Sequence, residues 1–490
     1  MQTSKVALVA SLLLAGGACG GSSHPLSPPV APHLIPGGGI ADGPIRGALN
    51  VYVTDEDTRG VVSNAAVRVG AADELEPCQA LTDSTGLARF SASGGEADGA
   101  SGGAGCKLLT KPVTLTVSAS GHAPATWIGV DGGNLTIALR AISSPALSRA
   151  TVQGTIAGWE ALPAPAADHQ TLALIGASSN PGLTDRGNDI DQGTRIVDAD
   201  IGTGTPYPVT IPANLCVRNS NPAARVDDCN WVLTTHTGAQ AHFAILIDND
   251  TKGTDDQSDD VNTIIGWAIK TGLSFGDGTT TGAEMLPIIA DSDMQPFAAS
   301  FATTPSGLDY VIAYPVLDLG VDGRITIVLP TLDKTSMMTR VPKLVGALAG
   351  GHYDLLAAAY DDASKALPST LTWLRGVDVS ATVAVGSWLA PPSTIAMTAG
   401  TFSFTPVAGA SVHSAELQTM DGQRRWAITI FDGTTSFSLP GLAPDPLPLG
   451  TLRFAVSALR VPGVDLSDIR FDDLADIVTD ISADAITYSR

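Results

Sequence analysis

Positive charge is scarce in this sequence: 27 Lys and Arg stand against 49 Asp and Glu, a formal net charge of −22 over 490 residues. A surface that acidic repels phosphate backbones, so nucleic acid is excluded as a partner, while cations, basic proteins and neutral polysaccharides stay open. Aromatics are sparse at 5% and charged residues low at 16%, whereas Gly (52) and Pro (32) are plentiful. That balance fits many short strands joined by turns. Long apolar runs are missing too. A membrane-spanning helix takes about 20 residues, and no segment reaches that length without a charge, Pro or Gly. The zinc-protease pattern H-E-x-x-H and the nucleophile elbow G-x-S-x-G are both absent. Residues 276–282 (GDGTTTG) lack the Lys of a phosphate loop and read as a turn between strands.

What is present begins with an address. Residues 1–5 are weakly basic, residues 6–15 (VALVASLLLA) are apolar, and Gly16, Gly17 and Ala18 are small. This is the layout of a secretory signal. Residues 14–19 (LAGGAC) resemble the lipobox of bacterial lipoproteins, with Gly16 where that family prefers Leu. The resemblance implies removal of residues 1–18, lipidation of Cys19 and anchoring in a membrane; the plain alternative is a cut after Ala18 that leaves Cys19 free. Acyl chains at about 0.8 kcal/mol per buried methylene make a stable anchor when more than one is attached. Residues 19–44, rich in Gly, Ser and Pro, read as a flexible tether. Gly20 replaces the Asp that in lipoproteins often means inner-membrane retention, which leans the address toward the outer membrane.

Four cysteines remain: Cys78, Cys106, Cys216 and Cys229. Proximity in sequence favours Cys78 with Cys106 and Cys216 with Cys229, among three possible connectivities. No CxxC or neighbouring His supports a metal site in their place.

At about 150 residues per domain the mature chain suggests three or so domains. Breaks near 145, 295 and 396 divide it into 45–142, 145–295, 296–395 and 396–490. The predicted class is all-β, a series of Ig-like or transthyretin-like β-sandwiches with few short helices, at 341–348 and 466–477. Residues 49–54, 65–69, 87–90, 113–119 and 135–139 alternate as half-buried strands do. So do 150–159, 170–176, 242–247, 261–269, 309–314, 324–329 and 452–459, and 426–431 with 435–439 reads as a hairpin around Asp432-Gly433. Within 45–142, Gly47, residues 64–67 (NAAV), the turn from Thr82-Asp83 to Gly86, Phe90 and residues 119–122 (ASGH) resemble the carboxypeptidase regulatory-like domain. His122 stands where that family has Tyr. The resemblance implies a non-catalytic transthyretin-like sandwich appended to a larger protein, and it carries no binding residues over.

One cluster suggests a ligand. Residues 248–260 (DNDTKGTDDQSDD) follow a strong strand, and Asp248, Asp250 and Gly253 resemble the start of an EF-hand-type calcium loop, with Asp255 a further oxygen donor. Lys252 sits where another ligand belongs and no Glu closes the loop, so a solvated acidic loop is the reading the sequence favours over calcium. His236 and His242 lie six apart, on one face if the strand is continuous, with no acidic partner close in sequence. The functional expectation is a surface-tethered, non-enzymatic lipoprotein that binds a glycan or an envelope protein, or has a structural role. The alternative is a cell-surface hydrolase, or an accessory subunit of one, whose paired carboxylates would be set by space rather than sequence.

Overall fold

The computed structural model describes residues 34–92, 104–109, 112–143, 147–180, 185–188, 190–200, 206–219, 225–254, 260–327, 335–362, 367–471 and 474–490. Cys19 and most of the expected tether lie outside them, as does Asp255. Among the described residues the chain is all-β, with short helical turns only, and its strands assort into facing sheets around separate apolar cores. No helix among them is long and apolar enough to cross a membrane.

Alternation builds the first sandwich. In the strand Ala48–Asp55, Leu49, Val51 and Val53 point inward and are fully buried. They meet Val67, Val69, Leu115 and Val117 of the facing sheet, with Leu135 and Ile137 beside them. Each such side chain contributes about 1.5–3 kcal/mol on burial. One sheet runs 469–470, 39–41, 134–139, 48–55, 87–91, 104–105; the other contains 125–130, 113–118, 66–69 and 78–81. The Cys78–Cys106 disulfide links the two sheets at one end.

Residues 34–44, expected to be tether, are folded. Gly39–Ala41 is a strand between Asn134–Leu139 and Ile469–Arg470. The reason is local. Ile40 is fully buried, and Gly39 has φ +136 with the backbone of its neighbour so close that a Cβ would lie 2.3 Å from the Ile469 carbonyl oxygen. The core is closed by the far end of the chain, through Val461, Ile469 and Val478.

A second sandwich stacks Trp231–His236, Arg149–Ala157 and Thr280–Pro287 on a five-stranded sheet. That sheet includes His169–Ala177, Leu215–Asn219, Gly238–Asp250 and Val261–Phe275. Trp231, Ile175 and Leu246 fill its core, next to the Cys216–Cys229 disulfide. Both disulfides are the pairs that sequence proximity favours. A third packs Ser336–Pro342, Met294–Phe301 and Val383–Val385 over Arg324–Thr326, Tyr310–Asp318, His352–Tyr360 and Ser369–Leu374. Here the segment predicted as a helix at 341–348 is strand up to Pro342 and then one 3-10 turn, Gly346–Leu348; within 466–477 the described residues include a short helix, Leu474–Ile477.

In the last sandwich Phe402, Phe437, Phe454 and Trp426 form the centre. The hairpin expected at 426–439 does not form. Arg424–Ile430 pairs with Val412–Thr419, while Ser436–Ser438 joins Thr401–Thr405 in the opposite sheet. Gly433, at φ +75, turns the chain across the core, so Ile430 and Phe437 face each other from different sheets.

Three of the sandwiches share one sheet. Ser369–Leu374 pairs with Asp480–Ser489, and Arg424–Ile430 runs parallel to Ala125–Val130, Ile430 opposite Ile128. Twelve strands from the first, third and last sandwiches thus hydrogen-bond in a single row.

Candidate functional site

A cleft of about 290 Å³ opens in the second sandwich, between the end of His169–Ala177, Asn214, the residues Asn188, Ile190 and Gln192, and the edge strand Trp231–His236. Its floor is apolar. Phe243 pairs in register with Gly176, and any side chain there would collide with the ring: a Cβ would sit 2.6 Å from the Phe243 Cζ. The rim is carboxamide. Gln192 donates from Nε2 to the Thr234 carbonyl (2.9 Å) and accepts the Thr234 N–H at Oε1 (2.8 Å). Asn188 does the same to the backbone of Asn180 (3.0 and 2.8 Å), and Asn214 donates to the Ile175 carbonyl at 2.7 Å. These amides satisfy backbone groups that the sheets leave open, among them those of Thr234 on the edge strand. Ser178 and Ser179 on the wall donate to the carbonyls of Asp322 and Arg324, fastening the cleft to the third sandwich. No Asp, Glu, Lys or Arg is among the described lining residues, which include His236 with its ring nitrogens 3.0 Å from the Thr237 carbonyl and 2.9 Å from the Ser178 carbonyl.

Beneath the cleft lies a buried polar network. His236 and His242 do not share a strand face: Gly238, at φ +95, separates Trp231–His236 from Gly238–Asp250. His242 is fully buried, stacked on Phe275 with ring centroids 5.3 Å apart. Its Nδ1 lies 3.1 Å from Glu284 Oε2 and its Nε2 3.2 Å from Gln240 Oε1. Glu284 is the acidic partner that sequence proximity does not reveal, 42 residues away on the opposite sheet. Thr235 donates to the same Gln240 oxygen, and Gln240 Nε2 donates to the His236 carbonyl at 2.8 Å. A buried ionisable pair of this kind adds little net stability, because the cost of desolvation offsets its attraction.

The third sandwich carries a second cluster that sequence reading missed. Asp318, His352 and Asp354 bring potential ligand atoms within 4.8 Å of one another. Their oxygens are already engaged by the protein. Asp318 accepts from Arg324 Nε (2.6 Å) and the Gly320 N–H (2.8 Å). Fully buried Asp354 accepts from Trp373 Nε1 (3.0 Å) and the Gly376 N–H (2.9 Å). Two guanidiniums stand over the Trp373 ring, that of Arg324 at 5.3 Å and that of Arg375 at 4.6 Å from its centroid. Arg324 also reaches Asp476 at 2.6 Å. The arrangement is an ion-pair and cation–π knot holding the 474–477 turn to the sheet. The residues come from five segments, so no spacing in the sequence announces them.

Asp248 and Asp250 project from the same face of Gly238–Asp250, as alternation requires. His169, on the neighbouring strand, hydrogen-bonds Asp248 at 2.9 Å, and that bond holds its pKa above the usual histidine value. Lys252 hydrogen-bonds Asp250, which holds that carboxyl below the ordinary range.

In comparison with known proteins, the chain matches no protein-family model and no curated protein. Among solved structures it is similar to the Bacillus anthracis TIE protein, at 8% identity over 69% of this chain and 49% of that one, TM-score 0.13. The chain thus spans about half the length of the TIE protein. It is also similar to the shaft pilin SpaA of Lactobacillus rhamnosus GG (10% identity, 50% of this chain, 97% of that one, TM-score 0.12). A third is the Bacillus cereus major pilin subunit BcpA (10%, 69% and 98%, TM-score 0.13).

Proposed function

We propose that the chain is an exported, surface-displayed protein held to a bacterial membrane, more readily the outer one, by lipid on Cys19. Its role is non-enzymatic: a structural or ligand-binding element of the envelope, with a glycan or an envelope protein as partner. The observation that carries this reading is the pair of disulfides, Cys78–Cys106 and Cys216–Cys229. Such bonds form and persist where the compartment is oxidising. On this reading residues 45–142 are the carboxypeptidase regulatory-like module, followed by β-rich domains over 145–295, 296–395 and 396–490. Further support is the shared sheet, which ties the first, third and last sandwiches together in a form suited to standing off a membrane.

Surface biotinylation of intact cells and radiolabelled acyl-chain incorporation test it. The expected result is a labelled, acylated protein that Cys19→Ser releases from the membrane fraction. A cytosolic protein with four reduced thiols would overturn the reading.

A further inference from the structure

Thr235, Gln240, His242 and Glu284 meet inside the second sandwich; the first three are fully buried and the Glu284 side chain nearly so. We propose that they form a self-modification site, in which the Thr235 hydroxyl condenses with the Gln240 carboxamide to give a side-chain ester and ammonia.

Acyl transfer needs a nucleophile at the carbonyl, a donor for the developing oxyanion, a proton carrier and a dry site. Thr235 Oγ1 hydrogen-bonds Gln240 Oε1, the atom bonded to the carbon it would attack. The carboxamide is held in place, because its nitrogen donates to the His236 carbonyl at 2.8 Å and so turns the oxygen toward Thr235 and His242. His242 Nε2 stands 3.2 Å from that oxygen, where the charge of a tetrahedral intermediate develops. Its Nδ1 lies 3.1 Å from Glu284 Oε2, and Phe275 stacks on the ring. Glu284 is a positioning residue: it orients the imidazole and stabilises the imidazolium formed in passing. Lys270, with Nζ 3.9 Å from Glu284 Oε1, is the other charged group facing that carboxylate among the described residues.

The step balances without a co-reactant. The Thr235 Oγ1–Gln240 Cδ bond forms as the carbonyl pair moves onto Oε1 beside His242. The hydroxyl proton passes, with His242 as carrier, to the carboxamide nitrogen. The Cδ–N bond then breaks, ammonia leaves and the ester carbonyl reforms. The product bridges the corner at Thr237-Gly238, where the chain leaves Trp231–His236 in one sheet for Gly238–Asp250 in the other.

Mass spectrometry of the whole mature protein after tryptic digestion tests this. The peptide of residues 226–252 should be lighter by one ammonia than its sequence requires, with no backbone fragments between positions 235 and 240. Hydroxylamine should open the ester in that peptide and leave a hydroxamate at position 240. Thr235→Val should show the full mass and Thr235→Ser the lighter one, with melting curves confirming that both fold. After a pulse of synthesis, Glu284→Gln should form the bond at least about tenfold more slowly, with an altered pH profile of the rate. A full-mass peptide from the parent protein, a loss mapped to Asn230 or Asn249 or persisting in Thr235→Val, or an unchanged rate and pH profile in Glu284→Gln would each overturn the proposal.

Discussion

Arg424 grips Glu56 at 2.8 Å although 368 residues separate them. The same guanidinium holds Glu416 at 2.7 Å and is nearly buried, so one cation joins the first sandwich to the last and neutralises carboxylates on both.

Removing that cation is therefore costly. Arg424→Ala leaves Glu56 and Glu416 mostly buried without their shared partner, and breaking such a pair from one side costs about 3–5 kcal/mol. Urea unfolding of Arg424→Ala should show a loss of that size. Glu56→Gln combined with Arg424→Ala should lose less than the sum of the two single changes.

The Cys216–Cys229 bond closes a span of 13 residues. In the chain-entropy model a loop of that length is worth about 3 kcal/mol. Replacing both cysteines by Ala should lower the melting temperature of the oxidised protein, and added reductant should then lower it further only through Cys78–Cys106. Equal sensitivity of parent and variant to reductant would contradict the pairing.

The His169–Asp248 contact makes stability depend on pH in a defined direction. The folded pKa of His169 is raised, chiefly by its hydrogen bond to Asp248. Its contribution is fully present below the unfolded value of about 6.5 and is lost as pH rises through the higher folded value. An NMR titration should place the ring midpoint above about 6.5, and Asp248→Asn should bring it down. Asp250 runs the opposite way: its lowered pKa gives a contribution present above about 3.9 that disappears as pH falls through the folded value.

A calcium ion added to the protein would have to compete at Asp250 with Lys252, whose ammonium hydrogen-bonds that carboxylate. Calcium should therefore raise the melting temperature more in Lys252→Ala than in the parent protein. Asp248→Ala with Asp250→Ala, in the Lys252→Ala background, should abolish the rise.

Which residues face a core was legible in the sequence, because a period of two in Leu49, Val51 and Val53 or in Phe454, Val456 and Ala458 marks the inward side of a strand. Which strand lies next to which was not. The parallel pairing of Ile428 with Thr126 leaves no trace in either segment, and the same alternation around Asp432-Gly433 fits a hairpin as well as the crossing between sheets that occurs. Composition also misjudged residues 34–44: their Gly and Pro content suits a spacer, yet Gly39 serves a close backbone approach and Ile40 a core. The cleft was illegible for a related reason. Gln192, Asn188 and Asn214 are ordinary polar residues until folding aims them at Thr234, Asn180 and Ile175.

The position of Gly39–Ala41 sets how the molecule answers a mechanical pull. Tension arriving along the chain ahead of residue 34 meets this three-residue strand first, and it is gripped on both edges, by Asn134–Leu139 and by Ile469–Arg470. The load passes at once to a seam made by the beginning and end of the chain. Peeling that seam would expose Val461, Ile469 and Val478 together with the first core, so the first sandwich and the C-terminal segment are expected to yield as one event.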